Sequence, residues 1–176
     1  MALPAVADRA RSFAPVLGRN PRILILGSLP GRASLAAGEY YAHPRNLFWD
    51  VMGELAGAPR AMPYAQRLDA LATRGIALWD VVQDAHRPGS LDSAIDFASA
   101  RHNDIAALLK AQPALQVVAF NGGTSARLFS RHVRPQLGAR ATALTLLPLP
   151  STSPAHAGLP RDAKQLAWRQ LAAYLD

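Results

Sequence analysis

Residues 27–49 read GSLPGRASLAAGEYYAHPRNLFW, and they gather the groups that could hold a flat aromatic ligand: Pro30, Gly31, Gly38, the Tyr40-Tyr41 pair, His43, Pro44 and Asn46. The stretch leaves a short apolar strand, spends about twenty residues as a loop, and enters a helix near Pro44; loops of that length inside a compact domain usually carry function. Two further groups stand out. Asp80 lies inside the apolar run 76–82, IALWDVV, where a carboxylate must find hydrogen-bond partners or bear a large desolvation cost. It either caps a neighbouring loop, as buried polar groups usually do, or accepts a hydrogen bond from the ring N–H of a bound base. Residues 149–156, LPSTSPAH, set three small hydroxyls between two prolines. Such a segment is either a plain Pro-rich turn before the last helix or a rigid loop whose hydroxyls and backbone N–H groups grip phosphates.

Several chemistries are excluded by residue type. The chain has no cysteine, which removes disulfides, thiolate nucleophiles, Cys-ligated zinc and iron–sulfur clusters. The segment GSLPG has no following Lys-Ser/Thr, and its glycine spacing fits neither a P-loop nor a dinucleotide fingerprint. Ser28 and Ser151 sit in no Gly-x-Ser-x-Gly elbow. His43, His86, His102, His132 and His156 show no metal-ligand spacing, so no metal and no cofactor is expected. The only lysines are Lys110 and Lys164; both fall in expected helices away from the loops above, so an amine for Schiff-base chemistry is not expected at the site.

The elements that must position these groups follow from hydrophobic patterning. Four short apolar runs, 22–27 (RILILG), 76–82 (IALWDVV), 115–120 (LQVVAF) and 142–148 (TALTLLP), alternate with helical patterns. Near-continuous apolar strands suit a parallel sheet covered on both faces, so the expected fold is a three-layer α/β/α sandwich with a central four-stranded parallel sheet. Helical stripes are expected at Leu47–Leu55, at Ile105–Leu109 ending before Pro113, after Gly122-Gly123, and from about Pro160 to the C-terminus. Ligands of such sheets bind beyond the carboxyl ends of the strands. That places residues 28–46, 83–90, 121–125 and 149–156 on one rim.

At 176 residues, half of them hydrophobic, a single domain over 1–176 is expected, with residues 1–20 as an N-terminal arm or helix. Nothing resembles an export signal or a membrane span, so a cytoplasmic protein is expected. Nineteen basic residues against twelve acidic ones give a formal charge of +7, which favours a partner with a phosphate backbone. Seventeen of the nineteen are arginine; a GC-rich coding bias explains that identity better than it explains the net excess.

Five ordered segments, GSLPG with the following YYAHPRNLFW, GIALWDVV, GSLDSAI, VVAFNGGTSARLF and LPSTSPA, together resemble the uracil-DNA glycosylase superfamily, most closely its hypoxanthine (DNA-deoxyinosine) branch. The resemblance runs from Arg22 onward. It implies a repair enzyme that acts on double-stranded DNA, flips out a deaminated base and hydrolyses its N-glycosidic bond; a monomer is expected, as suits one lesion per duplex. Position by position it implies that Tyr41 stacks on the base, that Asn46 is the catalytic amide, and that Asp80 and Ser151 contact the base. Leu29 stands where many members carry the Asn or Asp that orients the attacking water; it is expected as a further base contact, and the catalytic weight moves to Asn46. Ser28, Asn121, Gly122, Thr152, Ser153, Pro154 and Ala155 are implied DNA contacts. Ala155 replaces a leucine that often wedges into the duplex, so the wedge is expected elsewhere in 149–159. Uracil as main substrate, or a noncatalytic DNA-binding role, are the alternatives.

Overall fold

The computed structural model describes residues 8–175; residues 1–7 of the expected N-terminal arm lie outside the described residues. The central sheet is made of β2 (Ile23–Gly27), β3 (Ile76–Asp80), β6 (Val117–Asn121) and β7 (Thr145–Leu149), all parallel, in the order β3-β2-β6-β7. The expected four-stranded parallel sheet is therefore present, with its boundaries shifted. Residues Arg140–Ala143 form a short helix, α6, where the start of the last strand was expected.

Side-chain alternation divides the sheet's apolar residues between two cores. Leu24, Leu26, Ala77, Val118 and Phe120 face one side with Ile105, Leu109, Leu128 and Phe129. Ile23, Ile25, Ile76, Leu78 and Ala119 face the other with Phe48, Trp49, Met52, Leu71 and Trp168. The first layer is built by α4 (Ile105–Ala111) and α5 (Gly123–Leu128), and the second by α2 (Phe48–Ala56), α3 (Tyr64–Thr73) and α7 (Arg161–Trp168). Trp49 and Trp168 are fully buried, and truncating either to alanine costs about 3–5 kcal/mol.

Two elements depart from expectation. The long segment after β2 is not all loop: residues Arg32–Ala37 form a helix, α1, between Gly31 and a left-handed Gly38 at φ 66°, and α2 begins at Phe48 rather than near Pro44. The helix-forming run ASLAA with glycine just past its end is a C-terminal signal. Second, the run IALWDVV is not one strand. The chain bends at Val81, whose N–H donates to Gly27 O, and continues as β4 (Val82–His86) in a separate three-stranded antiparallel sheet with β1 (Arg9–Arg11) and β5 (Arg101–His102), order β1-β4-β5. Part of the N-terminal arm is thus a strand. Its continuation runs along β3, with Val16 and Leu78 exchanging both backbone hydrogen bonds, so the β3 edge of the parallel sheet is partly covered.

Candidate active site

The loops leaving the four parallel strands enclose a cleft of about 620 Å³, a size suited to a small ligand. Asp80 closes β3 at its floor, directly opposite Gly27 in register. A Cβ at residue 27 would overlap Asp80 Oδ1 and come within 3.2 Å of the Tyr41 hydroxyl, so only glycine lets β2 pass this close to the carboxylate. Asp80 is buried, and its Oδ2 has no hydrogen-bond partner. Burial, and then the negative charge of Asp92, push its carboxyl up to about 7, partly opposed by Arg87. A buried acceptor without a donor invites a ligand N–H.

Tyr41 holds a left-handed backbone at φ 55°, a conformation uncommon for a bulky residue and often found at functional sites. Its ring stacks on Phe48 at 4.0 Å between centroids. One aromatic face is therefore occupied, and a ligand in the cleft must use the other face or the edge. The hydroxyl is buried beside Asn121 and makes no hydrogen bond of ordinary geometry; burial and the Asp80 charge raise its pKa.

Asn46 caps the next helix. Its Oδ1 accepts from Phe48 N at 3.0 Å and its own N–H donates to His43 O. A backbone N–H can only donate, so this bond fixes the amide orientation and leaves Nδ2 as the donor available to the cleft that Asn46 lines. The Arg60 guanidinium holds the Asn46 carbonyl from behind.

The segment after β7 is tied down from several sides. Asn121 and Thr152 pair reciprocally, Nδ2 to Oγ1 and Thr152 N to Oδ1, both at 2.9 Å, and Thr152 O accepts from Leu47 N across the cleft. Ser151 Oγ and Ser153 Oγ each accept from the backbone N–H two residues on. Trp168 Nε1 donates to Pro150 O. Lys164, expected to lie away from the rim, instead sits beneath it: its buried ammonium donates to Ser153 O and His156 O at 3.2 and 2.6 Å. Gly122, at φ 98°, lies against Ser151.

All twelve sequence-derived site residues line this one cleft, but they do not all face it alike. Tyr41, Asn121, Ser151, Ser153 and Pro154 are half-buried and Ala155 is exposed, whereas Thr152 is sealed and its hydroxyl is spent on Asn121. The Leu29 side chain is buried in the core, and its carbonyl, with that of Pro30, accepts from Arg87. The rim segment after β3 is shifted: residues 83–86 belong to the small sheet, and Ser90, Leu91, Asp92 and Ser93 line the cleft. Asp92 was missed as a site residue, although it lies in the GSLDSAI segment. It accepts from Ser28 Oγ at 2.6 Å. Leu91, half-exposed at 52%, stands at the mouth, and Leu159 is exposed beyond the last loop. Among the described residues no group of three or more His, Cys, Asp or Glu side chains is arranged to hold a metal, and no helix is long and apolar enough to cross a membrane.

The model of the uracil DNA glycosylase superfamily matches residues 14–172, most of the chain and all of this rim. The chain belongs to the uracil DNA glycosylase superfamily. Within that superfamily it is 39% identical over 118 residues to a hypoxanthine DNA glycosylase of Methanosarcina barkeri, covering 66% of this chain and 73% of the relative. It is 40% identical over 113 residues to a hypoxanthine DNA glycosylase of Methanosarcina acetivorans, covering 64% and 70%. The superfamily fold is matched by the solution NMR structure of a Methanosarcina acetivorans protein described as a candidate uracil DNA glycosylase, with a TM-score of 0.77, 31% identity, and coverage of 94% of this chain and 98% of that one.

Proposed function

We propose that the protein is a monofunctional DNA glycosylase that takes hypoxanthine, the deaminated form of adenine, out of double-stranded DNA and hydrolyses its N-glycosidic bond, acting as a cytoplasmic monomer built as a single domain. The observation that carries this reading is the convergence of Tyr41, Asn46, Asp80 and Ser151 on one cleft at the strand ends; the names of the two Methanosarcina relatives point to the same substrate. Base flipping is the step that lets a duplex base enter such a cleft, at a cost of a few kcal/mol that falls for a mismatched base. Hypoxanthine offers an N1–H donor beside an O6 acceptor. Asp80 Oδ2, buried and without a donor, takes N1–H; adenine has no hydrogen at N1 and leaves that acceptor unpaired, which discriminates strongly. Tyr41 supplies the stacking surface, and the Asn46 amide N–H holds the attacking water or the departing base as charge develops. This activity stops at the abasic site: Lys164, the lysine beneath this rim, has its ammonium committed to two carbonyls rather than offered as a Schiff-base amine.

A panel of duplexes, each carrying one altered base, assayed for free base release tests the reading. Hypoxanthine release from inosine should exceed release of uracil and xanthine; no release from any inosine duplex would refute it. Asn46→Ala should slow single-turnover excision about 100-fold, the lower end for loss of a positioned catalytic group, with lesion binding retained. The description of the solved relative favours uracil as a second reading, and faster uracil release in the same panel would select it.

A further inference from the structure

Hydrolysis at a sugar carbon needs an acceptor for the proton of the attacking water. Leu29 offers none, since its side chain is buried in the core. Asn46 turns a donor toward the cleft, because its carbonyl oxygen caps α2. Asp80 lies at the buried floor, where its carboxyl is pushed up to about 7 and its unpaired oxygen suits a base N–H. Asp92 remains. It opens a 3₁₀ turn, Asp92–Ala94, is half-buried, and lines the cleft. The Ser28 hydroxyl donates to its Oδ1 at 2.6 Å, which fixes the carboxylate's orientation while the second oxygen takes no hydrogen bond from the described residues. The ionisable groups facing it come from three other segments: Asp80 at the end of β3, Arg87 after β4, and the Tyr41 hydroxyl.

We propose that Asp92 is a catalytic residue: its free carboxylate oxygen receives the proton of the water that attacks C1′ of the flipped nucleotide, and its charge faces the sugar as positive character develops there. The inference rests on the glycosylase reading above. In the step, the water oxygen bonds to C1′ while the electron pair of the C1′–N9 bond leaves with the purine. The water proton passes to Asp92, and the purine anion takes a proton from solvent. Asp92 then returns its proton to solvent, so the net change is one water added across the bond. Ser28 acts through Asp92 and is a positioning residue.

Single-turnover excision from an inosine duplex by Asp92→Asn tests this. A loss of about 100-fold is expected, the lower end of what a general base supplies, with inosine-duplex binding and melting temperature close to wild type. Ser28→Ala should lose less. A purely structural role would leave the solvent deuterium isotope effect on the excision step as it is in wild type, whereas loss of the proton acceptor in Asp92→Asn should lower it. Excision by Asp92→Asn within twofold of wild type, with an unchanged solvent isotope effect, overturns the proposal while leaving the glycosylase reading intact. If the wild-type protein releases no hypoxanthine, both fall. Should Asp92→Asn melt early, Asp92→Glu provides the second arm: partial recovery of rate supports the proposal, and none despite a wild-type melting temperature overturns it.

Discussion

Asp80 and Asp84 lie four residues apart on consecutive strands and are both buried, at 4% and 2% exposure, yet their surroundings are opposite. In the small antiparallel sheet, Asp84 is clasped by Arg9 and Arg101, with Arg101 Nε at 2.9 Å. Burial alone would raise its carboxyl; hydrogen bonds from the two arginines win and hold it below the usual carboxylate value. At the cleft floor, Asp80 has an oxygen without a donor and a carboxyl held well above that value. The pair teaches where this molecule keeps unmet hydrogen-bonding capacity. A carboxylate satisfied by its own chain joins the β1-β4-β5 sheet, while one left wanting lies where a ligand can satisfy it.

The largest expected effect separates the two by activity. Asp80→Asn should slow inosine excision about 100-fold and erode preference over adenine, in keeping with a buried hydrogen bond to a charged group, whereas Asp84→Asn should leave excision near wild type when assayed well below its melting temperature. Unchanged selectivity in Asp80→Asn or Asp80→Ala would break the comparison on its functional side. Next, stability should reverse the ranking. Asp84→Asn should cost about 1–3 kcal/mol in chemical denaturation, since it removes the charged centre of a bonded cluster, softened because Arg9 and Arg101 remain solvated.

The pH dependence sharpens the contrast further. The folded protein keeps the Asp80 proton up to about pH 7, while the unfolded chain releases it near the ordinary carboxylate value of 3.8. Stability referable to Asp80 is therefore fully present below about pH 4 and is lost as pH rises to about 7. Melting temperatures of wild type and Asp80→Asn should converge at pH 4 and diverge above it, with the variant higher at pH 8. As the acceptor of N1–H must be ionised, wild-type kcat/KM should rise with pH through about 7, and Asp80→Asn should lack that limb. The smallest effect is expected from Tyr41→Phe, which removes a buried hydroxyl without a well-formed hydrogen bond and keeps the ring. Excision should change less than threefold, whereas Tyr41→Ala removes a stacking surface worth about 1–3 kcal/mol.

The parallel sheet and its cleft were legible in the sequence because buried strands are continuous apolar runs, and because a carboxylate or a hydroxyl-rich loop at their ends has few reasons to be there. The antiparallel sheet was not. Its strands are short, two begin or end in arginine, and Asp84 inside β4 looks like a solvated charge until Arg9 and Arg101 close on it from distant parts of the chain. The bend at Val81 is likewise set by tertiary pairing with Gly27 and Ser28, which an unbroken run of apolar residues conceals. Asp92 escaped for a related reason: its partner Ser28 lies 64 positions away, and only the turn-forming residues of GSLDSAI hinted at a tight loop there. Lys164 was misjudged because a helix says nothing of what its buried face reaches.

The loops on the two sides of the cleft are stitched together by the Leu47 N–H on Thr152 O, and the far loop is pinned in turn by Asn121, Lys164 and Trp168. Jaws fixed in this way have little room to open or close around a guest. The duplex must do the yielding, so the ease with which each lesion swings free of its opposite base, more than any motion of the enzyme, should rank the sites it repairs first.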